Sequence, residues 1–224
     1  LKDLPVELPP DLVFGAILAR GHSADVLVST CPGGVEGLPS GARIGTGSPR
    51  RHAMMLALRP DVEVVPVRGN VPTRMAKVSR GDFDAVILAA AGLERLGHVA
   101  EGEVEVEGHL LHAAVLEGFL PAPGQGAIAV EIRSDDDRVR ALLAPLHDEA
   151  TAAAVLAERA VLAGLGGGCH LALGARGRMS GGILHLEAVV FDHPRAAPKH
   201  AFLAGDGGNP ESLGRALAAK LHGA

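Results

Sequence analysis

Apolar residues fall in short runs separated by breaks rich in glycine and proline, and the runs switch between a strand-like and a helix-like period. Residues 12–18 (LVFGAIL), after a proline-rich turn, read as a strand, as do residues 25–29 (DVLVS) and 42–45 (ARIG). The last of these runs into Thr46-Gly47-Ser48-Pro49, where Ser48 as N-cap and Pro49 at the first helical position start a helix that continues to Leu58. The unit then repeats. Residues 62–67 form a β-branched strand, and Asn70 caps a helix that carries Pro72 in its first turn and ends at Gly81. Residues 84–90 (DAVILAA) read as an apolar strand, continuous from Ala85, of the kind buried on both faces of a parallel sheet. This alternation predicts a doubly wound α/β domain.

Beyond it the pattern loosens. Residues 97–118 are acidic and irregular and read as an exposed connection leading into a helix; residues 119–126 (FLPAPGQG) form a rigid loop before a strand at 127–132. A helical stretch spans 138–165 with breaks around 145–148, and the tail alternates strand-like runs (184–191, 199–203) with a last helix over 210–221. The shift in composition near residue 148 predicts a separate, small C-terminal α+β domain.

Composition narrows the function. With 224 residues and 47% apolar content, the chain can bury a real core. A net charge of −5, no Trp, no Tyr and only five Phe argue against a nucleic-acid partner, so any basic site must be local. The eleven histidines lack metal-ligand spacing, and no metal is expected. Cys31 and Cys169 make no disulfide framework, and neither a membrane-length apolar run nor a signal pattern is present; the expectation is a cytoplasmic protein with no membrane partner.

The local basic site is legible at the strand ends, where open α/β sheets bind ligands. Arg50 and Arg51 lie in the first helical turn, Arg68 at a strand tip, Arg74 in the following helix, and Arg95 just past the third strand. Cations in a first turn oppose the helix macrodipole, an arrangement that becomes favourable once an anion docks there. Five arginines on one sheet edge therefore point to a ligand with several carboxylates or phosphates, against the plainer alternative that each pairs with a surface carboxylate. Three further features are ambiguous alone. Leu165-Gly-Gly-Gly-Cys169 leaves a thiol open to a bulky group, or is a small buried cysteine in a tight turn; a dyad with His170 is a weaker option. Lys2-Asp3 is a loop ion pair unless its carboxylate has a task. Pro123-Gly-Gln125-Gly-Ala-Ile-Ala129 mimics a dinucleotide fingerprint, but a strand follows it instead of a helix.

The segments LKDLP, GTGSPRRHAMML, VVPVRGNVPTR, GDFDAVILAAAGLERLG, LPAPGQGAIAVEIR, TAAAVLAERA and GGGCHLALGA, in this order along the chain, resemble the porphobilinogen deaminase family. The resemblance implies three α/β domains, the first two hinged and similar to type II periplasmic binding proteins, the third carrying a cofactor cysteine. On it, residues 1–20 and 121–147 are what is present of domain 1, 21–120 are domain 2, and 148–224 are domain 3, most of domain 1 being expected upstream of Lys2 and the chain by itself inactive. It implies a transferase that condenses four porphobilinogens, with release of ammonia, to hydroxymethylbilane on a covalent dipyrromethane primer in heme and porphyrin biosynthesis. Residue by residue, it assigns Cys169 to thioether attachment of the cofactor and Asp3 to catalysis. Lys2, Thr46, Ser48, Arg50 and Arg51 fall to cofactor binding, and Arg68, Arg74, Arg95 and Gln125 to substrate binding. Loss of ammonia leaves an electron-poor azafulvene whose charge a carboxylate near the pyrrole N–H would stabilise, and chain growth would require hinge motion near 20–23 and 120–126. Pro49, Pro72 and the GGGCHLALG form of the cysteine loop depart from the usual family pattern. A non-catalytic two-domain binding protein would share the arginines but leave Cys169 and Asp3 without a use.

Overall fold

A computed structural model describes residues 1–167 and 171–223. The chain divides into two compact units: one comprises Leu1–Gly21, Leu120–Val190 and Pro198–Ala224, the other His22–Phe119 with Phe191–Ala197.

Strand β1 (Leu12–Ile17) belongs to the first unit, and the chain then enters the second. There β2 (Asp25–Ser29), β3 (Arg43–Gly45), helix α1 (Pro49–Leu58), β4 (Glu63–Val65), α2 (Val71–Ser79), β5 (Ala85–Ala89) and the short α3 (Ala90–Glu94) follow the predicted alternation closely. Both long helices begin as local chemistry dictates: the Ser48 side chain accepts from Arg51 N–H and the Asn70 side chain from Thr73 N–H, each with proline in the first turn.

Residues 97–118 differ from expectation. They fold as a hairpin, β6 (Gly102–Val106) and β7 (His109–Val115), with Val106 paired to His109 across Glu107-Gly108. Both turn residues have positive φ, 50° and 77°, which suits the twist of a two-residue hairpin. The Glu–Val alternation of residues 103–106 is the period-2 signal that the acidic composition obscures. The resulting six-stranded sheet has the order β4-β3-β5-β2-β7-β6 and is mixed: β3 runs parallel to β4 and β5, while β2 runs antiparallel to β5 and β7. Alternate residues of β2 and β5 face opposite sides of the sheet, and all of Val26, Leu27, Val28, Val86, Ile87 and Leu88 are buried. One of those faces packs with Met75 and Val78 of α2.

The first unit resumes with β8 (Ala129–Arg133), antiparallel to β1, then α4 (Asp137–Leu143), a 3-10 turn at Ala144–Leu146, and α5 (Glu149–Gly164), whose N-cap Asp148 accepts from Thr151 N–H at 2.7 Å. Strands β9 (Ala172–Ser180), β10 (Ile183–Phe191) and β11 (Lys199–Asp206) form a three-stranded sheet in the order β11-β10-β9, and α6 (Pro210–His222) closes the chain. The mixed α/β unit and the C-terminal α+β part agree with the expected fold class.

Strand β9 carries little strand signal in LALGARGRMS, and the reason is packing. A Cβ on Gly177 would lie 2.8 Å from the Ala154 carbonyl oxygen, and one on Gly174 would lie 2.7 Å from that of Leu120. Glycine is present because other backbone approaches closely. Helix α5 serves two cores. Its Ala154, Ala157 and Val161 pack with Leu184, Leu186 and Leu217, whereas Val155 packs with Ile17 and Ala127.

Gly214 in α6 gives a test of this packing. In an open helix Gly→Ala stabilises by roughly 1 kcal/mol. Here the new Cβ would sit 2.4 Å from the Ala157 carbonyl oxygen and 2.6 Å from the Ala160 Cβ. Gly214→Ala is therefore expected to destabilise by about 1–3 kcal/mol in thermal unfolding, the sign reversed by overpacking; a raised Tm would contradict this close α5–α6 approach.

Candidate functional site

The arginines of the second unit divide into two sets. Arg50 and Arg51, in the first turn of α1, are buried, with 3% and 6% exposure, and turn to Asp25 at the start of β2, itself wholly buried. Arg50 Nη1 donates to Asp25 Oδ2 at 2.5 Å; Arg51 donates to Oδ1 from Nε at 3.0 Å and from Nη2 at 2.7 Å, and from Nη1 to the Ile87 carbonyl at 2.8 Å. They are not the open forks on the sheet edge that their sequence position implies. Burial pushes the Arg50 pKa down and Asp25 resists that shift.

Arg68 and Arg95 are exposed and Arg74 is half-buried. Arg74 Nε donates to the Gly69 carbonyl at 2.7 Å, and burial followed by the charge of Arg51 holds its guanidinium below the ordinary value. Two guanidiniums share the Asp25 carboxylate, and a third stands within reach of their field. Positive charge gathers where the first turns of α1 and α2 hold no acidic residue. Thr46 Oγ1 accepts from Ser48 N–H at 3.2 Å and Ser48 Oγ from Arg51 N–H at 3.4 Å, so each hydroxyl keeps its proton to donate. These hydroxyls, the N-termini of α1 and α2 and the exposed Arg68 guanidinium are donors of the kind that carboxylates take up.

The first unit holds the remaining candidates. Lys2 and Asp3 are exposed in a turn closed by Leu4 N–H donating to the Leu1 carbonyl. Lys2 Nζ donates to Gln125 Oε1 at 3.4 Å, so these two come together; Gln125 is 1% exposed. Among the described residues the Asp3 carboxylate has no hydrogen-bond or ion-pair partner. Cys169, with Gly168 and His170, lies outside the described residues.

Sequence reasoning missed two buried carboxylates. Asp25 opens an apolar strand, and Glu158 sits in a helix that is apolar nearly all round; a charge in such a setting was the available signal. Glu158 Oε1 accepts from Arg20 Nη1 at 2.6 Å and from Gly177 N–H at 2.7 Å; its Oε2 accepts from Arg20 Nη2 at 3.1 Å and from Gly124 N–H at 2.7 Å. Arg20 Nε in turn donates to the Gln125 carbonyl at 2.9 Å, so Glu158 anchors the turn that carries Gln125.

Among the described residues no helix is long and apolar enough to cross a membrane, and no group of three or more His, Cys, Asp or Glu could hold a metal ion. Within the second unit, basic side chains and the N-termini of α1 and α2 are of the kind that take up carboxylates. Residues 1–141 match the family model described as porphobilinogen deaminase, dipyromethane cofactor binding domain, and residues 152–223 match that of the porphobilinogen deaminase C-terminal domain. The porphobilinogen deaminases of Xanthomonas euvesicatoria pv. vesicatoria and Desulforudis audaxviator are 44% and 43% identical over 221 residues, 99% of this chain and 70% and 69% of their own. Among solved structures, the periplasmic VFT2 domain of Bordetella pertussis BvgS aligns with 59% of this chain and 52% of its own at 20% identity and a TM-score of 0.37, too loose a likeness to extend the assignment. The chain belongs to the porphobilinogen deaminase family. It is accordingly a transferase of tetrapyrrole biosynthesis that polymerises porphobilinogen into hydroxymethylbilane and uses a dipyrromethane cofactor.

Proposed function

We propose that the residues of this chain divide the reaction into anchoring, gripping and charge stabilisation. The arginine group at the N-termini of α1 and α2 carries the proposal. Each pyrrole ring of substrate and cofactor brings two carboxylates, and this donor set suits them. Arg50, Arg51, Thr46 and Ser48 with Lys2 hold the cofactor's carboxylates; Arg68, Arg74 and Arg95 with Gln125 hold those of the incoming porphobilinogen. Cys169, within the residues matched by the C-terminal family model, anchors the cofactor as a thioether. When bound, the dipyrromethane supplies the pyrrole carbon to which the next unit is joined.

Asp3 supplies a negative charge next to the pyrrole N–H that becomes positive as ammonia departs, and its carboxylate is uncommitted elsewhere. Residues 1–20 with 121–147, 21–120 and 148–224 act as three modules. The enzyme works as a monomer in the cytoplasm without a nucleic-acid partner, in keeping with its acidic charge and dispersed basic residues.

Intact mass of enzyme made in a porphobilinogen-producing cell tests the anchor. An addition equal to two deaminated pyrrole units is expected, and Cys169→Ala is expected to abolish both that addition and turnover. An unmodified wild-type mass, or an addition that survives in Cys169→Ala, would remove Cys169 from its role.

A further inference from the structure

We infer that Asp25 is a positioning residue for cofactor capture: its buried carboxylate fixes the Arg50 and Arg51 guanidiniums at the head of α1. The inference rests on the reading that these arginines meet the cofactor's carboxylates. Each carboxylate oxygen takes one arginine, Oδ2 the Arg50 Nη1 and Oδ1 the Arg51 Nε and Nη2. The base is rigid. Asp25 lies in the central strand β2, paired to Ala89 of β5, and its carbonyl accepts from Leu116 N–H at 2.9 Å. Arg51 is fixed from a second side by the Ile87 carbonyl of β5.

A free arginine carries about 2 kcal/mol of rotamer entropy, and two in a first helical turn also oppose the helix dipole. Holding both on one strand carboxylate removes that freedom before the ligand arrives. Each Arg51 η nitrogen carries a second N–H beside the one it donates here, and these, with the amides at the head of α1, meet the ligand.

A buried ion pair can be merely structural, so the test reads capture as well as folding. Cofactor-free enzyme is mixed with porphobilinogen, and acquisition of the pyrrole units is followed by intact mass alongside KM, kcat and Tm. Asp25→Glu keeps the charge but moves the carboxylate by one methylene, and a misplacement of about 1 Å costs on the order of a hundredfold. Acquisition slowed ten- to a hundredfold, with KM raised more than kcat is lowered, is the expected result. Arg51→Gln should be slowed as well, and adding Asp25→Glu to it should slow it by less than Asp25→Glu slows the wild type, because part of the effect runs through the contact that Arg51→Gln has already removed while Arg50 still depends on Asp25.

Wild-type acquisition and KM in Asp25→Glu, or a lowered Tm with unchanged rates, overturns the positioning role. Wild-type acquisition in Arg51→Gln overturns the arginine assignment, and the inference with it. Should Asp25→Glu not fold, Asp25→Asn is the second variant, with the same slowing expected. Insolubility of both beside a soluble Arg51→Gln would assign Asp25 a purely structural role.

Discussion

Asp3→Ala is expected to keep the cofactor, read as an unchanged intact mass, and to lose turnover by about three orders of magnitude. The size follows from the charge that the variant removes. Two unit charges about 4 Å apart interact by about 1 kcal/mol in water and about 4 kcal/mol at an effective dielectric near 20. The larger figure corresponds to roughly a thousandfold in rate. Asp3 is exposed and uncommitted among the described residues, so its charge is available and its removal breaks no contact in the fold. Tm should therefore stay within experimental scatter. Asp3→Asn, which keeps the shape and loses the charge, should match Asp3→Ala; a large recovery in Asp3→Asn would mean that hydrogen bonding, not charge, is what the residue supplies. Turnover within a few-fold of wild type in both variants would refute the assignment.

The same residues show what a sequence can and cannot disclose. Helix starts at Ser48 and Asn70 were legible because the cap and its N–H partner lie three residues apart. The five arginines were legible as a group because strand ends are legible. Which way their side chains turn was not, since Asp25 lies 25 residues from Arg50 and the contact forms only when β2 enters the sheet. The hairpin at β6 and β7 escaped for a different reason. Its alternation was present, but frequent glutamates made a half-exposed edge ribbon look like a connection. Glu158 marks the far limit: its partner Arg20 is 138 residues away, and only the implausibility of a charge inside an apolar helix hinted at one.

Glu158→Ala is expected to lower stability by about 3–5 kcal/mol, the usual effect of breaking a buried pair from one side. For a chain of this size that is a fall in Tm of roughly 6–20 °C. Glu158 is completely buried, and all four of its contacts are donors. Burial pushes its carboxyl pKa up, while Arg20 and the N–H groups of Gly177 and Gly124 draw it back. A protonated acid would set its O–H against a donor, so the ionised form is the one this site accommodates. Glu158→Gln meets the same difficulty with its amide N–H2 and should recover little. Pairing Glu158→Leu with Arg20→Met removes both charges and should restore part of the loss. It cannot restore all of it, because the Gly124 and Gly177 N–H groups still lack an acceptor, each costing about 1–3 kcal/mol when buried. A Tm for Glu158→Ala within about 2 °C of wild type, less than 1 kcal/mol on this scale, would show that water or a rearranged turn replaces the carboxylate and that Glu158 does not anchor the Gln125 turn.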